Sequence, residues 1–506
     1  MKRLFLLLLF VITGCASQQA ATPSDAGSQV AAPARKHPLD QSVTQRYVLE
    51  NGLRVLLVSD PKYNKSAAAM VVEVGSLDNP VEDQGLAHFL EHMLFLGTDK
   101  YPGVDDYGTY LNDNGGYHNA YTAGDHTNYF FDINHNAFEG GLDRFAQFFI
   151  APLFTEEYTE RELNAVNSEH QKNLENDSWR IWRTQSHAYR EGHPERMFGT
   201  GSLETLGNVT RQDLLAFYNA HYSADRMGLV LLSNAPLDSL DVWAHRHFAQ
   251  IEDRDIPKPT YPPDFLVDTE TFRLLQIETI KDIRTLDMEF ELPAFADAYM
   301  SKPGDMLGSL IGHEGEGSLL SLLKNESLAT GLSVSSYLAT PDYGSLTIHV
   351  DLTPQGLDAY REVVKLCLTY VDMLKKSDYP ASYFLEQRTM AALDEIYSDK
   401  GEGGGRASGL AGQMVKYPLE IVDRVAYLYG DIDPASYNRL LSYLRSDNML
   451  ATIAAQGVPT TDTEPHYGTQ YSFTEDAEFY GELAALPARP ELHLPAPNPF
   501  IPSDLV

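Results

Sequence analysis

Cysteine is scarce in this sequence, with two residues among 506. Cys367 lies within the apolar helical run 363–371, and we predict a buried free thiol at this position. Cys15 directly follows an apolar segment near the start of the chain. If Cys15 is modified, no disulfide can form, so an oxidising compartment is compatible with the sequence but is not required by it.

Basic residues are also few. Lys and Arg number 38 against 71 Asp and Glu, which gives a formal net charge of −33. Such a surface repels nucleic acid and anionic lipid head groups, so we expect no nucleic-acid partner. The acidity fits either a preference for basic peptides or plain solubility, and the composition does not choose between them.

The first apolar run is too short for a membrane-spanning helix, which needs about 20 residues. Residues 4–12 follow Lys2 and Arg3 and precede Thr13-Gly14-Cys15, an order typical of a cleaved secretory signal. Residues 12–15 resemble the bacterial lipoprotein processing box, which implies cleavage before Cys15 and a lipid on its sulfur. This predicts a protein anchored on the periplasmic face of a bacterial membrane. The alternative, ordinary signal cleavage beside an incidental cysteine, predicts a periplasmic or secreted protein.

Two glycine-rich runs lack the context of a phosphate-binding loop. Residues 312–318 are not followed by Gly-Lys-Ser/Thr, which excludes a P-loop, and we predict a loop at the entry of a helix. Residues 400–405 also lack that context and are predicted to form a mobile surface loop.

The sequence does contain a pair of histidines one helical turn apart. Residues 85–95 have the pattern of an amphipathic helix that carries His88, Glu91 and His92 on its polar side. Imidazoles at positions i and i+4 can bind one zinc ion at about 2.0–2.1 Å. Glu91 would then lie beside the metal, where a carboxylate can take a proton from water whose pKa zinc lowers to about 7. A solvated helix face explains the same three residues without a metal.

A catalytic zinc site needs a third protein ligand, which directs attention to acids further along the chain. Residues 155–174 predict a long helix on which Glu162 and Glu169 share one face, two turns apart. One of them could bind the metal while the other supports the site. Taken alone, each reads as a solvated helix glutamate.

The inverted order His-x-x-Glu-His, followed by residues 162–170, resembles the insulinase/pitrilysin family of zinc metallopeptidases. The resemblance implies one Zn²⁺ per chain. It also assigns the roles of five residues: His88, His92 and Glu169 as metal ligands, Glu91 as the general base, and Glu162 as the supporting acid.

Strand-like segments surround the motif. A hairpin is predicted around Asn51-Gly52, with a third strand at 67–74 and further strands within 111–122 and 127–133.

The resemblance implies that three of these residues, Asn119, Ala120 and Tyr121, form a strand edge on which a peptide substrate adds as a further strand. From the residues alone, an ordinary sheet strand fits equally well. Through residues 312–315 the resemblance also implies that His313 contacts the substrate.

An internal repeat supports an α+β fold class. Residues 130–149 are echoed by residues 346–364, each with a strand, a turn and a helix that opens at Gly-Leu-Asp. We predict two tandem homologous units, each a mostly antiparallel sheet packed with helices, joined within 257–268. In the second unit, the helix that corresponds to the His88 helix is predicted at 316–324 and carries no ligands. The predicted organisation is a signal peptide at 1–15, a flexible tether at 16–45, a catalytic zinc peptidase domain at 46–262, an inactive homologous domain at 263–488, and the start of a connector at 489–506.

Together these features predict a zinc-dependent endopeptidase in the periplasm, and the resemblance implies that it hydrolyses small or unfolded peptides. The resemblance covers about residues 45–506 and stops where the long members of the family continue with two further repeats. We therefore expect a fragment, a separate partner chain that supplies the C-terminal half, or a homo-oligomer. The alternative is a non-catalytic peptide-binding or assembly subunit that needs a partner half.

Overall fold

The computed structural model describes residues 33–502. The signal peptide at 1–15, Cys15 and most of the predicted tether therefore lie outside the described residues, as do the last four residues of the predicted connector. Within residues 33–502, no helix is both long enough and apolar enough to cross a membrane.

Thirteen strands form two sheets in the described chain. Their bounds are β1 Val43–Val48, β2 Arg54–Ser59, β3 Ser66–Val72, β4 Tyr117–Thr122, β5 Thr127–Ile133, β6 Met227–Ser233, β7 Phe272–Glu278, β8 Arg284–Pro293, β9 Ala329–Leu338, β10 Tyr343–Leu352, β11 Met449–Ala455, β12 Asp462–Thr463 and β13 Gln470–Asp476.

Sixteen α-helices pack on these sheets or connect their strands in the same part of the chain. Their bounds are α1 Leu86–Met93, α2 Asp106–Asp113, α3 Phe138–Ile150, α4 Glu156–Asn173, α5 Asp177–Ser186, α6 Leu203–Leu206, α7 Arg211–His221, α8 Leu237–Phe248, α9 Pro303–Ile311, α10 Leu319–Asn325, α11 Pro354–Asp358, α12 Tyr360–Lys376, α13 Ala381–Tyr397, α14 Gly403–Lys416, α15 Pro434–Leu441 and α16 Ala477–Leu483.

The two sheets repeat one topology. The first has the order β1-β2-β6-β3-β5-β4, and the second has the order β12-β13-β7-β11-β8-β10-β9. Five strands of each sheet correspond in order, β2-β6-β3-β5-β4 in the first and β7-β11-β8-β10-β9 in the second. Each of these sets has one parallel pair, β2 with β6 and β7 with β11, and its other neighbouring strands are antiparallel. The fold is thus mixed α and β with two tandem units, as the sequence predicted, and β4 and β9 are the corresponding edge strands.

Helices cover one face of each sheet. A large apolar cluster joins the first sheet to α1, α3, α7 and α8, and a second one joins the other sheet to α9, α10, α12 and α15. Cys367 on α12 is a buried free thiol in the second cluster, as predicted. Each large side chain buried in these clusters contributes roughly 1.5–3 kcal/mol.

The opposite face of the first sheet is covered by α14, which belongs to the second half of the chain. This corrects the mobile loop predicted for residues 400–405, because α14 begins at Gly403 and Gly404 is buried. A Cβ at Gly404 would lie 2.9 Å from the ring of Phe130 on β5. Gly404 therefore serves close packing of a helix on a sheet, whereas a Cβ at Gly401 or Gly405 would meet no atom within 4 Å.

The end of the predicted tether is packed on the folded body. Arg35 lies 2.9 Å from Glu395 on α13, and β1 begins at Val43, inside the segment expected to be flexible. Arg46 makes a second ion pair with Asp423 at 2.6 Å. Residues 35–45 are thus fixed by contacts with remote parts of the chain, which composition alone does not reveal.

Two further segments differ from their predicted structure. Residues 111–113, predicted as strand, end α2, and the chain turns at Gly115, where φ is +67°, before β4 begins at Tyr117. The helix expected from residue 316 begins at Leu319, because Ser318 caps it by accepting a hydrogen bond from the Ser321 N–H. The hairpin around Gly52 and the strand and helix positions at β3, β5 and α4 agree with prediction.

The proline-rich segment predicted to join the units is an extended strap. Tyr261, Phe265 and Leu266 are buried in a cluster that also contains Tyr343 and Leu450 of the second sheet. The two units therefore share an apolar interface. The boundary predicted between residues 262 and 263 falls within this strap and remains a prediction.

Candidate metal centre

Helix α1 carries the histidine pair. Its apolar residues Leu86, Phe89, Leu90 and Met93 are buried, which fixes the rotation of the helix and turns His88 and His92 toward a cavity.

Gly85 precedes the helix with φ of +99°, and a Cβ there would lie 2.3 Å from the Cα of Gly201. Only glycine allows this approach, which brings the start of α1 against residues 199–201.

Helix α4 brings the acids to the same cavity. Glu169 Oε2 lies 3.6 Å from His88 Nε2 and 3.7 Å from His92 Nε2. In a tetrahedral zinc site, ligand atoms at about 2.1 Å from the metal are about 3.4 Å apart. One ligand atom from each of His88, His92 and Glu169 lies within 4.8 Å of the others. The three side chains therefore fit a zinc ion with little movement.

The tautomer of His88 also suits a metal. Its Nδ1 lies 2.7 Å from the carbonyl oxygen of Thr200, so Nδ1–H donates to that oxygen. The lone pair is then on Nε2, the atom that faces Glu169. A backbone carbonyl that orients a ligating imidazole is a frequent partner in zinc sites.

Glu162 lies behind His92 on the same helix face as Glu169. Its Oε2 is 3.6 Å from His92 Nδ1, and its other oxygen is 3.0 Å from Arg161. Burial lowers the pKa of His92, but the facing carboxylates of Glu162 and Glu169 outweigh it and raise the pKa to about 9. Without a metal, His92 is thus protonated at neutral pH, and a metal must displace that proton.

Glu91 is buried beside the two histidines. Thr122 on β4 donates a hydrogen bond of 2.7 Å to its Oε2. Burial raises the pKa of Glu91, while His88 and the Thr122 hydrogen bond act in the opposite direction. A carboxylate with a raised pKa is suited to accept and return a proton near neutral pH.

A cavity of about 820 Å³ lies in front of these residues, and β4 forms one side of it. Asn119, Ala120 and Tyr121 line this cavity, whereas His313 is not among its lining residues. Among residues 33–502, strand β4 is the edge of its sheet and pairs with β5 alone, so its outer backbone groups are free to pair. The structure thus brings together all the predicted site residues except His313.

Three further residues at the cavity escaped the sequence analysis, as did the role of Thr122, which was predicted only as part of the edge strand. Trp179 and Trp182 of α5 line the cavity, with ring centroids 5.6 Å apart, and Thr122 and Thr200 hold Glu91 and His88. The chain has only 3 Trp, and two of them lie one turn apart shortly after Glu169. That spacing in the sequence indicates an aromatic wall beside the site. No sequence pattern indicates the roles of the threonines, because their contacts join distant segments.

Three family models match consecutive parts of this chain. The model for insulinase (peptidase family M16) matches residues 54–192, the peptidase M16 inactive domain matches residues 208–390, and the middle or third domain of peptidase M16 matches residues 396–506. The His-x-x-Glu-His residues on a scaffold of two repeated sheets, together with these three family matches, identify the class of the protein as a peptidase. The chain belongs to the insulinase/pitrilysin family of peptidases.

Curated relatives extend along nearly the whole chain. Human insulin-degrading enzyme is 38% identical over 481 residues, covering 93% of this chain and 47% of its own length. The A-factor-processing enzyme of Saccharomyces cerevisiae is 34% identical over 475 residues, covering 92% of this chain and 46% of its own length. The chain thus spans about half the length of the curated relatives it matches.

Solved structures agree with this assignment. A crystal structure of pitrilysin has a TM-score of 0.88 at 30% identity, covering 94% of this chain and 51% of that chain. The first half of the periplasmic protease PqqL from Escherichia coli has a TM-score of 0.67 at 17% identity, which is a likeness of fold alone.

Proposed function

We propose that this protein is a zinc-dependent endopeptidase acting on small or unfolded peptides. The observation that carries the proposal is the convergence of His88, His92 and Glu169, with Glu91 buried beside them. Bound zinc supplies Lewis-acid chemistry and makes water more acidic. His88 and His92 would hold it through Nε2, with Glu169 as the third ligand.

Glu91 is the proposed general base. Its carboxylate would take a proton from the attacking water and return it to the leaving amine, and Thr122 orients it throughout. Glu162 would keep His92 oriented through Nδ1, as Thr200 does for His88.

The substrate is proposed to be an extended peptide. The free edge of β4 offers backbone donors and acceptors, and these pair with any peptide backbone regardless of sequence. Trp179 and Trp182 would contact apolar side chains of the peptide. A folded protein cannot present a free extended segment to this edge, so small or unfolded peptides are favoured.

The proposed location is the periplasmic face of a bacterial membrane, with a lipid on Cys15. Its support is the apolar run at 4–12 followed by Thr13-Gly14-Cys15. Labelling of expressing cells with a radioactive fatty acid, comparing wild type with Cys15→Ala, tests this directly. Equal label in both proteins would rule out the anchor.

Cleavage of a quenched-fluorescent peptide of about twenty residues tests the activity. The protein without residues 1–15 should cleave it with zinc present, and a chelator should abolish the cleavage. Glu91→Gln should retain zinc and lose hydrolysis, because an amide cannot accept the proton. Equal turnover by Glu91→Gln and wild type would remove Glu91 as the base.

A second candidate is a non-catalytic peptide-binding or assembly subunit that needs a partner half. The observation in its favour is that the chain spans about half the length of its curated relatives. Stoichiometric zinc without any peptide cleavage would support this candidate. Activity restored by a separate C-terminal half, or by self-association, would then identify what completes the enzyme.

A further inference from the structure

A loop of the second unit packs against α4 and α5 of the first unit, beside the helix that carries Glu169. This 464–469 loop connects β12 to β13 and is closed by a 2.8 Å hydrogen bond from Glu464 N–H to the Thr469 carbonyl. Glu464 is fully buried, and its carboxylate lies 3.2 Å from Arg183 on α5 and 3.4 Å from His187, which directly follows α5. The loop is thus fixed to the first unit by buried charges.

An aromatic cluster extends from the loop toward α4. The ring of Tyr467, 3% exposed, packs edge-on against His170 with ring centroids 4.9 Å apart. His170 in turn packs against Phe198 at 5.1 Å. His466 stacks face to face on Phe198 at 4.1 Å, with only 10° between the ring planes. The loop therefore contacts two segments of the first unit, α4 at His170 and the segment around Phe198.

The first segment carries a proposed metal ligand, and the second carries a residue that orients one. His170 follows Glu169 directly on α4, so the packing of its ring sets the position of that turn of the helix. Phe198 lies two residues before Thr200, whose carbonyl accepts the hydrogen bond from His88 Nδ1. Tyr467 also anchors the helix that follows α4, since Arg180 donates to its carbonyl at 3.0 Å.

We propose that the 464–469 loop is a positioning element for Glu169 and His88, so that the second unit, which has no ligands of its own, sets the metal affinity of the first. Tyr467 and His466 are its positioning residues, acting through His170 and Phe198. The role is one of geometry: close-packed side chains tolerate little displacement, and ligand atoms must converge within a few tenths of an ångström. This inference rests on the proposed metal site.

The test measures zinc affinity and ligand geometry as well as activity. Zinc dissociation constants are determined by competition with a chromophoric chelator, and the visible absorption of the Co²⁺-substituted protein reports the coordination geometry. Tyr467→Ala should raise the zinc dissociation constant roughly 10–100-fold and alter the cobalt spectrum. Tyr467→Phe keeps the ring and should restore both readouts to within about threefold of wild type.

Tyr189→Phe is the matched control. It removes another contact between the units, the 3.0 Å hydrogen bond from the Tyr189 hydroxyl to Glu289, without touching α4 or residues 198–200. It should leave zinc affinity unchanged. If Tyr189→Phe weakens zinc as much as Tyr467→Ala, the effect comes from the interface in general and the proposal is overturned.

His466→Ala covers the case in which Tyr467→Ala does not fold, because the His466 ring is only half-buried. It should also weaken zinc binding and alter the cobalt spectrum. A folded His466→Ala or Tyr467→Ala protein with wild-type zinc affinity overturns the inference. If the wild-type protein itself binds no zinc, the proposed function fails instead, so the two failures are distinguishable.

Discussion

Thr122 donates a 2.7 Å hydrogen bond to Glu91 and thereby joins the open edge strand to the proposed base. Thr122 lies on β4, immediately after the residues proposed to pair with a peptide, while Glu91 lies on α1 with the histidine pair. A peptide added to β4 would therefore lie on the strand that orients the proposed base. One element would then set the positions of both substrate and base.

Removing this hydrogen bond should shift the pH profile. Thr122→Val deprives the charged form of Glu91 of a donor, so the pKa of Glu91 should rise further. The acidic limb of the kcat/KM profile should move to higher pH, and activity at neutral pH should fall roughly tenfold. Peptide cleavage measured across pH 5 to 9 checks this. Thr122→Ser keeps the hydroxyl and should keep the wild-type profile.

Glu162 should affect metal affinity although it is not one of the three proposed ligands. Glu162→Gln removes the negative charge 3.6 Å from His92 Nδ1, and we expect zinc affinity to fall roughly 10–100-fold. Glu160→Gln on the exposed side of the same helix is the control and should change nothing. Zinc binding by chelator competition distinguishes them, and similar affinities in both variants would contradict the supporting role.

The buried carboxylate of Glu464 should make stability depend on acid pH. Burial raises its pKa, but His187, two backbone N–H groups and Arg183 outweigh burial and lower the pKa to about 2, from 4.5. Its stabilisation of about 3 kcal/mol is complete above pH 4.5 and is lost as the pH falls toward 2. Urea unfolding at pH 7, 5 and 3 measures the slope.

Glu464→Gln should flatten that slope and lower stability at pH 7 by about 3–5 kcal/mol, since Arg183 is left buried without its partner. Glu482→Gln breaks an exposed ion pair with Lys365 and should cost less than about 1 kcal/mol. A stability loss of equal size in both variants would contradict the argument.

The packing of α14 on the first sheet predicts opposite effects at two of its glycines. Gly404→Val places a side chain 2.9 Å from the ring of Phe130 and should destabilise the protein by about 1–3 kcal/mol. Gly409 has no neighbouring atom within 4 Å, and Gly409→Ala should stabilise by about 0.5–1 kcal/mol through helix propensity. Thermal unfolding of both variants gives the two signs, and destabilisation at Gly409 would contradict them.

Local patterns in the sequence predicted the proposed metal ligands and the repeat. His88, Glu91 and His92 share a face because helical periodicity is a local property, and Glu162 and Glu169 follow the same rule on their own helix. The repeated strand-turn-helix pattern was sufficient to predict two units with one topology. That the two helices bring His88 Nε2 to within 3.6 Å of Glu169 Oε2 is seen only in the folded chain.

The missed features are contacts between segments far apart in the sequence. Arg35 is fixed by Glu395, and Gly404 by Phe130, although both stretches have the composition of flexible chain. A glycine run that permits close packing looks the same in sequence as one that permits motion. Whether such a stretch packs or moves depends on the residue that it contacts, and that residue lies hundreds of positions away in the sequence.

The cover that α14 provides makes the first unit dependent on chain synthesised much later. Leu56, Val71 and Leu232 of the first sheet are sealed by a helix that begins at Gly403. While the chain is still emerging from its N-terminus, the first unit must expose one apolar sheet face until α14 is available to cover it. A chain that ends between the two units would therefore keep that face exposed and be prone to aggregate.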